Sequence, residues 1–476
     1  MRISTCLIQL VLLLVIGGCI GPRVSQPQTS LRLPGQYAQL RATDTVCLAA
    51  IPWQVYFRDS LLIALVDSAL QNNQELRVLL AEIEISRNEV KARTGEYLPF
   101  VHITAQADVD KVGEYTRSGA VERGLEIEPG RRFPSPFSTY QIGLASIWEI
   151  DIWKRLRNAR KAAFLRYLAS IEARRFAVTT LIAEVAESYY ELQALDNLLA
   201  ILNEYIQIQS NALQLIRLSK QAGRATQLAV NRFEARLLNT QNRRYAIQQR
   251  RTEVENHLHF LLGRFPEVAP IRSETFLQIV IDTSALAGLP AQLLQNRPDI
   301  RQAELELRAA HVETQVARAA FYPSLSLAGA AGWQAFHPSV LFLPQSILYQ
   351  VAAEAVTPFI NRNALKAAYA SATARQRQAL LRYEQTLIRA YTEVLNELAR
   401  LRNFSESFRT KEREVQILTE SVTIANNLYR SAEADYLEVL LTQIEALDAR
   451  MELIEAKMEL LRAQVRLYRV LGGGWR

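Results

Sequence analysis

The chain is short of several things, and each shortage excludes something. Among 476 residues there are three cysteines and three methionines. Cys6 lies in an apolar leader and would leave with it, and lipidation of Cys19, read below, would leave Cys47 as the only free thiol, so no disulfide framework is expected within the chain. There is no zinc-ligand spacing and no phosphate-binding glycine loop. His257 and His259 are two positions apart and point to different faces of a helix. No catalytic pair or triad is present, so the reading is of a protein that is not an enzyme and needs no cofactor or metal. The net charge of +7 comes from arginines scattered among acids, a pattern of solvated helix faces rather than a nucleic-acid-binding block. Proline and glycine are absent from Lys154 to Ser219, and Asp, Glu, Lys and Arg are absent for 35 residues from Ala319 to Ala353.

The uncharged run is long enough for a membrane helix, but Pro323, Pro338, Pro344, Gly329 and Gly332 interrupt it. Ser324, Ser326, Ala328 and Ala330 alternate with Leu325, Leu327, Gly329 and Ala331, which predicts a strand, a turn and a second strand. Taken alone, this fits a buried hairpin of a soluble domain as well as two crossings of a bilayer. Two further strands are predicted upstream. Val101, Ile103, Ala105, Ala107 and Val109 alternate with His102, Thr104, Gln106, Asp108 and Asp110. After a Gly-, Pro- and charge-rich loop to about Ser138, Tyr140, Ile142, Leu144, Trp148 and Ile150 alternate with polar or small residues.

The amino terminus has Arg2, an apolar core from Leu7 to Ile16, and then Gly17-Gly18-Cys19. It is too short to span a bilayer and fits a signal peptide over residues 1–18. The small residues before Cys19 resemble a bacterial lipobox, which implies lipidation (palmitate) of Cys19. Ile20 follows rather than Asp, which by resemblance to known sorting rules favours the outer membrane. Residues 19–58 carry Pro22, Pro27 and Pro34 with little periodicity and are expected to form a tether.

From Asp59 the chain repeats itself. ALQNNQELR at Ala69–Arg77 returns as LLQNRPDIR at Leu293–Arg301, 224 positions later. Tyr140-Gln141, Glu184-Val185 and Leu262-Gly263 return at Tyr349-Gln350, Glu393-Val394 and Leu471-Gly472, 209 positions later. The change of offset falls at the loop between the strands, where insertions are tolerated best. Repeat 1 is predicted over 59–263 with its hairpin near 99–152. A connector over 264–288 includes a short strand at Phe276–Ile281. Repeat 2 is predicted over 289–472 with its hairpin near 322–359, followed by a tail over 473–476. Each repeat ends in two long helices that turn at Ala222-Gly223-Arg224-Ala225 and Ala432-Glu433-Ala434-Asp435. The Gly- and Pro-free stretch after Trp153 predicts a helix of some 65 residues, about 95 Å long. In the last helix Leu437, Leu440, Ile444, Leu447, Met451, Ile454, Met458, Leu461, Val465 and Tyr468 step by 3 and 4, a coiled-coil seam that must be buried on a neighbour.

Four strands cannot close a membrane barrel, and open edges are not tolerated in lipid, so chains must pool strands. Three copies would supply twelve, within the range of outer-membrane barrels. The fold class is therefore mainly α with a transmembrane β part: long helical hairpins and four strands per chain in a trimeric barrel.

Here the residues resemble a known family, the outer membrane factors (TolC-like channels), and within it the OprM/NodT-type outer membrane efflux lipoproteins. The resemblance is carried by the lipobox at Cys19, LPAQLLQNRPDIRQAELELRAAH at Leu289–His311 and FYPSLSLAG at Phe321–Gly329. ADYLEVL at Ala434–Leu440 and the terminal LGGGW at Leu471–Trp475 complete it. It implies a homotrimer in the outer membrane with a periplasmic helical tunnel. It also implies docking to a periplasmic adaptor (membrane fusion) protein and to an inner-membrane pump, most often of the resistance-nodulation-division type. Members close the far periplasmic end with rings of side chains after the second turn, which places Leu437 and Glu438 at ring positions. Leu441 and Ile444 stand where the OprM-like pattern has Asp and Arg. The expected gate is thus more apolar, with Asp435 and Glu438 its nearby carboxylates and Leu441 in its wall. The turns, at Gly223, Arg224, Ala432 and Glu433, are the expected adaptor contacts. Trp148, Trp333, Tyr322 and Tyr349, with Phe321, stand where aromatic girdles would lie, whereas Trp153 and Phe359 are expected to pack at the strand–helix junction. The implied function is passive conduction of small toxic compounds or drugs. Exit of metal ions or type I secreted proteins, and a poreless lipid-anchored coiled-coil scaffold, are the alternatives.

Overall fold

The computed structural model describes residues 47–266, 276–279, 288, 290–431, 433–434 and 436–475, with residues 22, 24–25, 29, 31, 33–34 and 37. The signal peptide, Cys19, Ala432 and Asp435 lie outside the described residues.

The helical body starts where Asp59 accepts hydrogen bonds from the backbone N–H groups of Leu61 and Leu62 (2.9 and 3.3 Å), an N-cap that opens α1 (Ser60–Asn72). The helical stretch that opens the first repeat is divided in two. Asn73 leaves helical geometry with ψ 128°, and its Oδ1 accepts from Leu76 N–H at 3.1 Å, capping α2 (Gln74–Tyr97). Then follow β1 (Phe100–Asp110), β2 (Phe137–Ile150), α3 (Arg155–Gln221) and α4 (Gln227–Leu261). The second half repeats this order with the first helix reduced to Leu293–Asn296, followed by α5 (Pro298–Ala319), β3 (Ser324–Ala335), β4 (Ile347–Val356), α6 (Asn363–Arg430) and α7 (Tyr436–Val470). The two long helices have 67 and 68 residues. The first inter-strand loop is more ordered than its composition suggests, holding a short helix at Arg117–Gly124 and a ribbon of Glu126–Glu128 with Arg131–Arg132. No helix among the described residues is long and apolar enough to cross a membrane.

The chain divides into two compact units. One gathers Glu84–Leu168 and Leu305–Leu381. Its sheet has the order β1-β2-β3-β4, every pair antiparallel, with β1 and β4 at the edges. Below the sheet Asp151 is 6% exposed and accepts from the N–H groups of Leu156 and Arg157 at 3.1 and 2.9 Å, so a buried carboxylate starts α3. Lys154 just before it has φ 60°, a left-handed conformation that disfavours residues with a Cβ.

The other unit gathers Ala169–Glu304, Arg382–Arg476 and the described residues of Ser30–Ile83. Its core joins both repeats. Tyr56 stacks on Tyr468 at 4.4 Å, and Tyr189 donates to Asp59 at 3.0 Å. The two halves make matching contacts. Asn73 Nδ2 donates to Leu261 O, and Arg297, its counterpart, donates to Val470 O, each at 3.0 Å. Gly263 (φ +66°) and Gly472 (φ +89°) sit against the carbonyls of Asn72 and Asn296, where a Cβ would lie 2.4 and 2.5 Å from oxygen.

Three expectations need correction here. The span to Arg58 is not all tether: Cys47, Leu48, Ala49, Trp53, Tyr56 and Phe57 are buried, and Tyr37 is buried and stacked on Tyr391. Aromatic mass outweighs the prolines upstream. Phe276–Gln278 is a 3-10 turn rather than strand, because Phe276 is 0% exposed and anchors the connector in the core; Val280 and Ile281 lie outside the described residues. The predicted tail is packed as far as Trp475, which donates to Asn296 O at 2.9 Å and whose ring has the guanidinium groups of Arg175 and Arg301 over it.

One buried carboxyl gives a pH prediction. Burial raises the pKa of Glu397 on α6, against the opposing pull of Arg400, Arg466 and Arg469. A folded-state pKa above the unfolded value means that stability is lost as pH rises through the raised value. Glu397→Gln should therefore melt above the parent at pH 8, with the difference shrinking at pH 4; thermal unfolding at the two pH values checks it.

Candidate functional site

Register sorts the sheet into two chemically different faces. Residues directly opposite share a face, and Ile103, Leu144, Ala331 and Tyr349 form one such row across all four strands. The face containing that row holds every apolar position predicted for β1, with Ile142, Leu325, Leu327, Trp333, Ile347 and Val351, and no ionisable group except the Tyr140 and Tyr349 phenols. Every charged residue of the four strands lies on the opposite face, at Asp108, Asp110, Glu149 and Glu354, as do His102, Thr104, Gln106 and Gln141. Large apolar side chains on the first face are open: Ile103 is 76% exposed, Val351 83% and Tyr349 81%. A water-facing sheet would not expose that row; a lipid-facing one would.

Aromatic residues bracket this face. Trp148 lies beside Leu327 in register, and Trp333 is six residues further along β3, roughly 20 Å at strand rise and comparable to the apolar band of a membrane barrel. Trp148 Nε1 donates to Tyr97 O at 3.1 Å, and Trp333 meets Phe342 edge-on. Tyr322 stacks on Trp153 at 4.6 Å, and Trp153 Nε1 donates to Pro323 O at 2.8 Å, so Trp153 packs at the junction as expected. Phe321 is buried against Tyr369 and Arg362 and belongs to the junction, not to a girdle. Phe359 is the reverse: expected to pack, it is 79% exposed.

The polar face is pinned by backbone contact. Gly143 and Gly332 are opposite one another, and a Cβ on Gly332 would lie 2.3 Å from Ile142 O and 2.5 Å from Gly143 Cα. At its lower end Glu149 takes a bidentate Arg155 at 2.6 to 3.2 Å.

The helix turns form the second part of the site. Arg224 N–H donates to Ser219 O, and Glu433 N–H to Leu428 O, each at 2.9 Å, so both turns close with the same helix-ending bond. Gly223 has φ +71° with open space where a Cβ would go, and Arg224 and Glu433 are exposed. Thr226 caps α4 by accepting from Ala229 N–H. After the second turn Leu437 and Leu441, one turn apart on α7, are 47% and 51% exposed, and Glu438 is exposed beside them. Val439 and Leu440 turn inward. The repeat brings out Leu228 as the counterpart of Leu437, 62% exposed. Sequence reasoning passed over it, although the offset of 209 would have found it. Further along α7 the predicted seam is buried at Leu440, Leu447, Met451, Ile454, Leu461, Val465 and Tyr468. Exposed leucines at the turn-proximal end of a buried seam are what remains for another chain to cover.

The chain matches the family model described as "Outer membrane efflux protein" over residues 65–264 and 289–473. It is 29% identical to the solvent efflux pump outer membrane protein SrpC of Pseudomonas putida, covering 97% of each chain. It is 26% identical to the cation efflux system protein CusC of Escherichia coli, again covering 97% of each. Among solved structures it resembles the outer-membrane channel OprN, with TM-score 0.84 and 26% identity over 96% of this chain and 99% of that one.

Proposed function

The chain belongs to the outer membrane efflux protein family, and from that premise we propose how it carries out the channel's task. It is the outer membrane component of an efflux system, spanning the membrane by its strands with its helices in the periplasm. Three copies pool their strands into a twelve-stranded barrel, anchored as well by lipid on Cys19. The carrying observation is the sheet: one face has no acid, base or amide, and both edges belong to strands that a neighbour must pair.

Small apolar organic compounds, delivered by an inner-membrane pump and a periplasmic adaptor, pass through without chemistry. The pump is of the resistance-nodulation-division type. The solvent-efflux relative supports this cargo. The cation-efflux relative matches over the same share of the chain, so the pump, not the duct, sets the choice of cargo. The adaptor meets the turns at Gly223, Arg224, Ala432 and Glu433. The gate is a three-fold ring of Leu437 and Leu441 with Asp435 and Glu438 at its rim. Full-length protein in a planar lipid bilayer is expected to show stepwise currents; purified trimers that insert and never conduct would leave the scaffold alternative standing.

The gate has its own test. Three carboxylates around an axis concentrate cations. Replacing Asp435 and Glu438 together by Ala should reduce cation-over-anion permeability, read as a smaller reversal potential in a salt gradient. An unchanged reversal potential would return these acids to ordinary solvated helix residues.

A further inference from the structure

The seam between α3 and α4 has a polar layer across it. On α3 the inward positions run Leu198, Leu202, Tyr205, Gln209, Ala212 and Ile216, stepping by 4 and 3. On α4 they run Val230, Phe233, Leu237 and Thr240. The pairs Arg217–Glu234 and Arg251–Asp196 fix the register of the hairpin and bring Gln209 and Thr240 to one level. Both are buried, at 4% and 3% exposure. Neither amide atom of Gln209 has a hydrogen-bond partner. Thr240 Oγ1 donates back to Arg236 O at 3.2 Å within its own helix, a bond that offers nothing across the seam and tends to bend helices.

The apolar core stops at this layer and resumes beyond it. The main cluster reaches Tyr205 on α3 and Leu447 on α7. The turn-proximal cluster is separate and small: Ala212, Leu213, Val230, Phe233 and Leu440, flanked by Ile216, Leu237 and Ile444. Across the break the clasp is ionic. Asp448 on α7 meets Arg243 at 2.8 Å and Arg236 at 3.6 Å, and all three side chains are 30–42% exposed, so water weakens the hold. A level with unpaired buried amide and no continuous packing is where a helical assembly yields first.

We propose that the Gln209–Thr240 layer is a built-in hinge, about which the turn-proximal ends of α3 and α4 move as one small body. This rests on the channel reading: Leu440 and Ile444 of α7 pack in the same turn-proximal cluster, so bending here carries the start of α7 and shifts the ring at Leu437 and Leu441 without sliding whole helices. Amide hydrogen exchange on the full-length protein in detergent tests it. Protection on the wild type should fall in a step between Tyr205 and Ala212 on α3 and between Leu237 and Ile247 on α4. A smooth decline from core to turn overturns the hinge. The double variant Gln209→Leu with Thr240→Val joins the two clusters. It should slow exchange of residues 210–237 by at least about ten-fold and make channel openings rarer. Exchange and opening frequency equal to wild type would equally overturn the proposal. A wild-type protein without any current would strike the channel reading instead, leaving the exchange step to judge the hinge.

Discussion

Replacing Arg297 by Ala is expected to lower the stability of the folded chain by about 3 kcal/mol, the largest loss from any single ion-pair deletion in the helical unit. The side chain is 4% exposed and serves three acceptors: Asp299 at 2.7 Å, Glu393 at 2.8 Å and the Val470 carbonyl at 3.0 Å. Burial alone would lower its pKa, but the two carboxylates raise it, so the charge is held in place. Removing it strands a buried carbonyl at the end of α7 and leaves two acids without their cation. Glu393 is 37% exposed and can rehydrate, which puts the cost at the lower end of the range for broken buried pairs. The repeat supplies the control. Asn73→Ala at the equivalent position deletes neutral bonds to Leu261 O and from Leu76 N–H and should cost about 1–2 kcal/mol. Thermal melts of the two variants in one detergent give the comparison. A loss for Arg297→Ala no greater than for Asn73→Ala would mean that its charge contributes nothing. Arg297→Lys should not rescue, because one ammonium cannot replace a fork holding three partners.

The same pair of residues shows how far sequence carries. The offset of 224 alone sets Asn73 against Arg297, and strand alternation alone separates the two faces of the sheet. Both rest on local periodicity, which burial on one side enforces. What periodicity cannot show is a contact made at long range by an aperiodic segment. Residues 47–57 have proline before them and no helical repeat, yet Tyr56 reaches Tyr468 and donates to Gln464 O at 2.9 Å. Trp475 likewise sits in a glycine-rich end and finds two arginines distant in sequence. Phe321 and Phe359 are both aromatic residues near strand ends, and local sequence does not separate the buried one from the exposed one. Only the surrounding chain decides which meets Tyr369 and which stays open. At the helix turns, the motif ADYLEVL points to Leu437, whereas its exposed counterpart Leu228 is reached only by applying the repeat to a residue outside that motif.

Replacing Gly332 by Val should abolish the barrel, whereas Gly329→Val, three residues away on the same strand, should be accepted. The two glycines face opposite ways. Gly329 is on the charge-free face, and the nearest atom to a Cβ there is Gln350 O at 3.9 Å, so a valine adds apolar surface where the sheet already shows it. Gly332 is on the polar face against Gly143, and its Cβ would meet Ile142 O at 2.3 Å and Gly143 Cα at 2.5 Å. These neighbours are backbone and cannot rotate away. Relief requires β2 and β3 to part, and parting breaks rungs of their ladder. In water, solvent would satisfy the freed N–H and C=O groups; in the bilayer each unpaired group costs several kcal/mol. The predicted outcome is near-complete loss of Gly332→Val from the outer membrane fraction and of its bilayer conductance, with Gly329→Val close to wild type in both. Equal amounts of the two variants in that fraction, both conducting, would show that the β2–β3 contact is not held in lipid as close as the paired glycines place it.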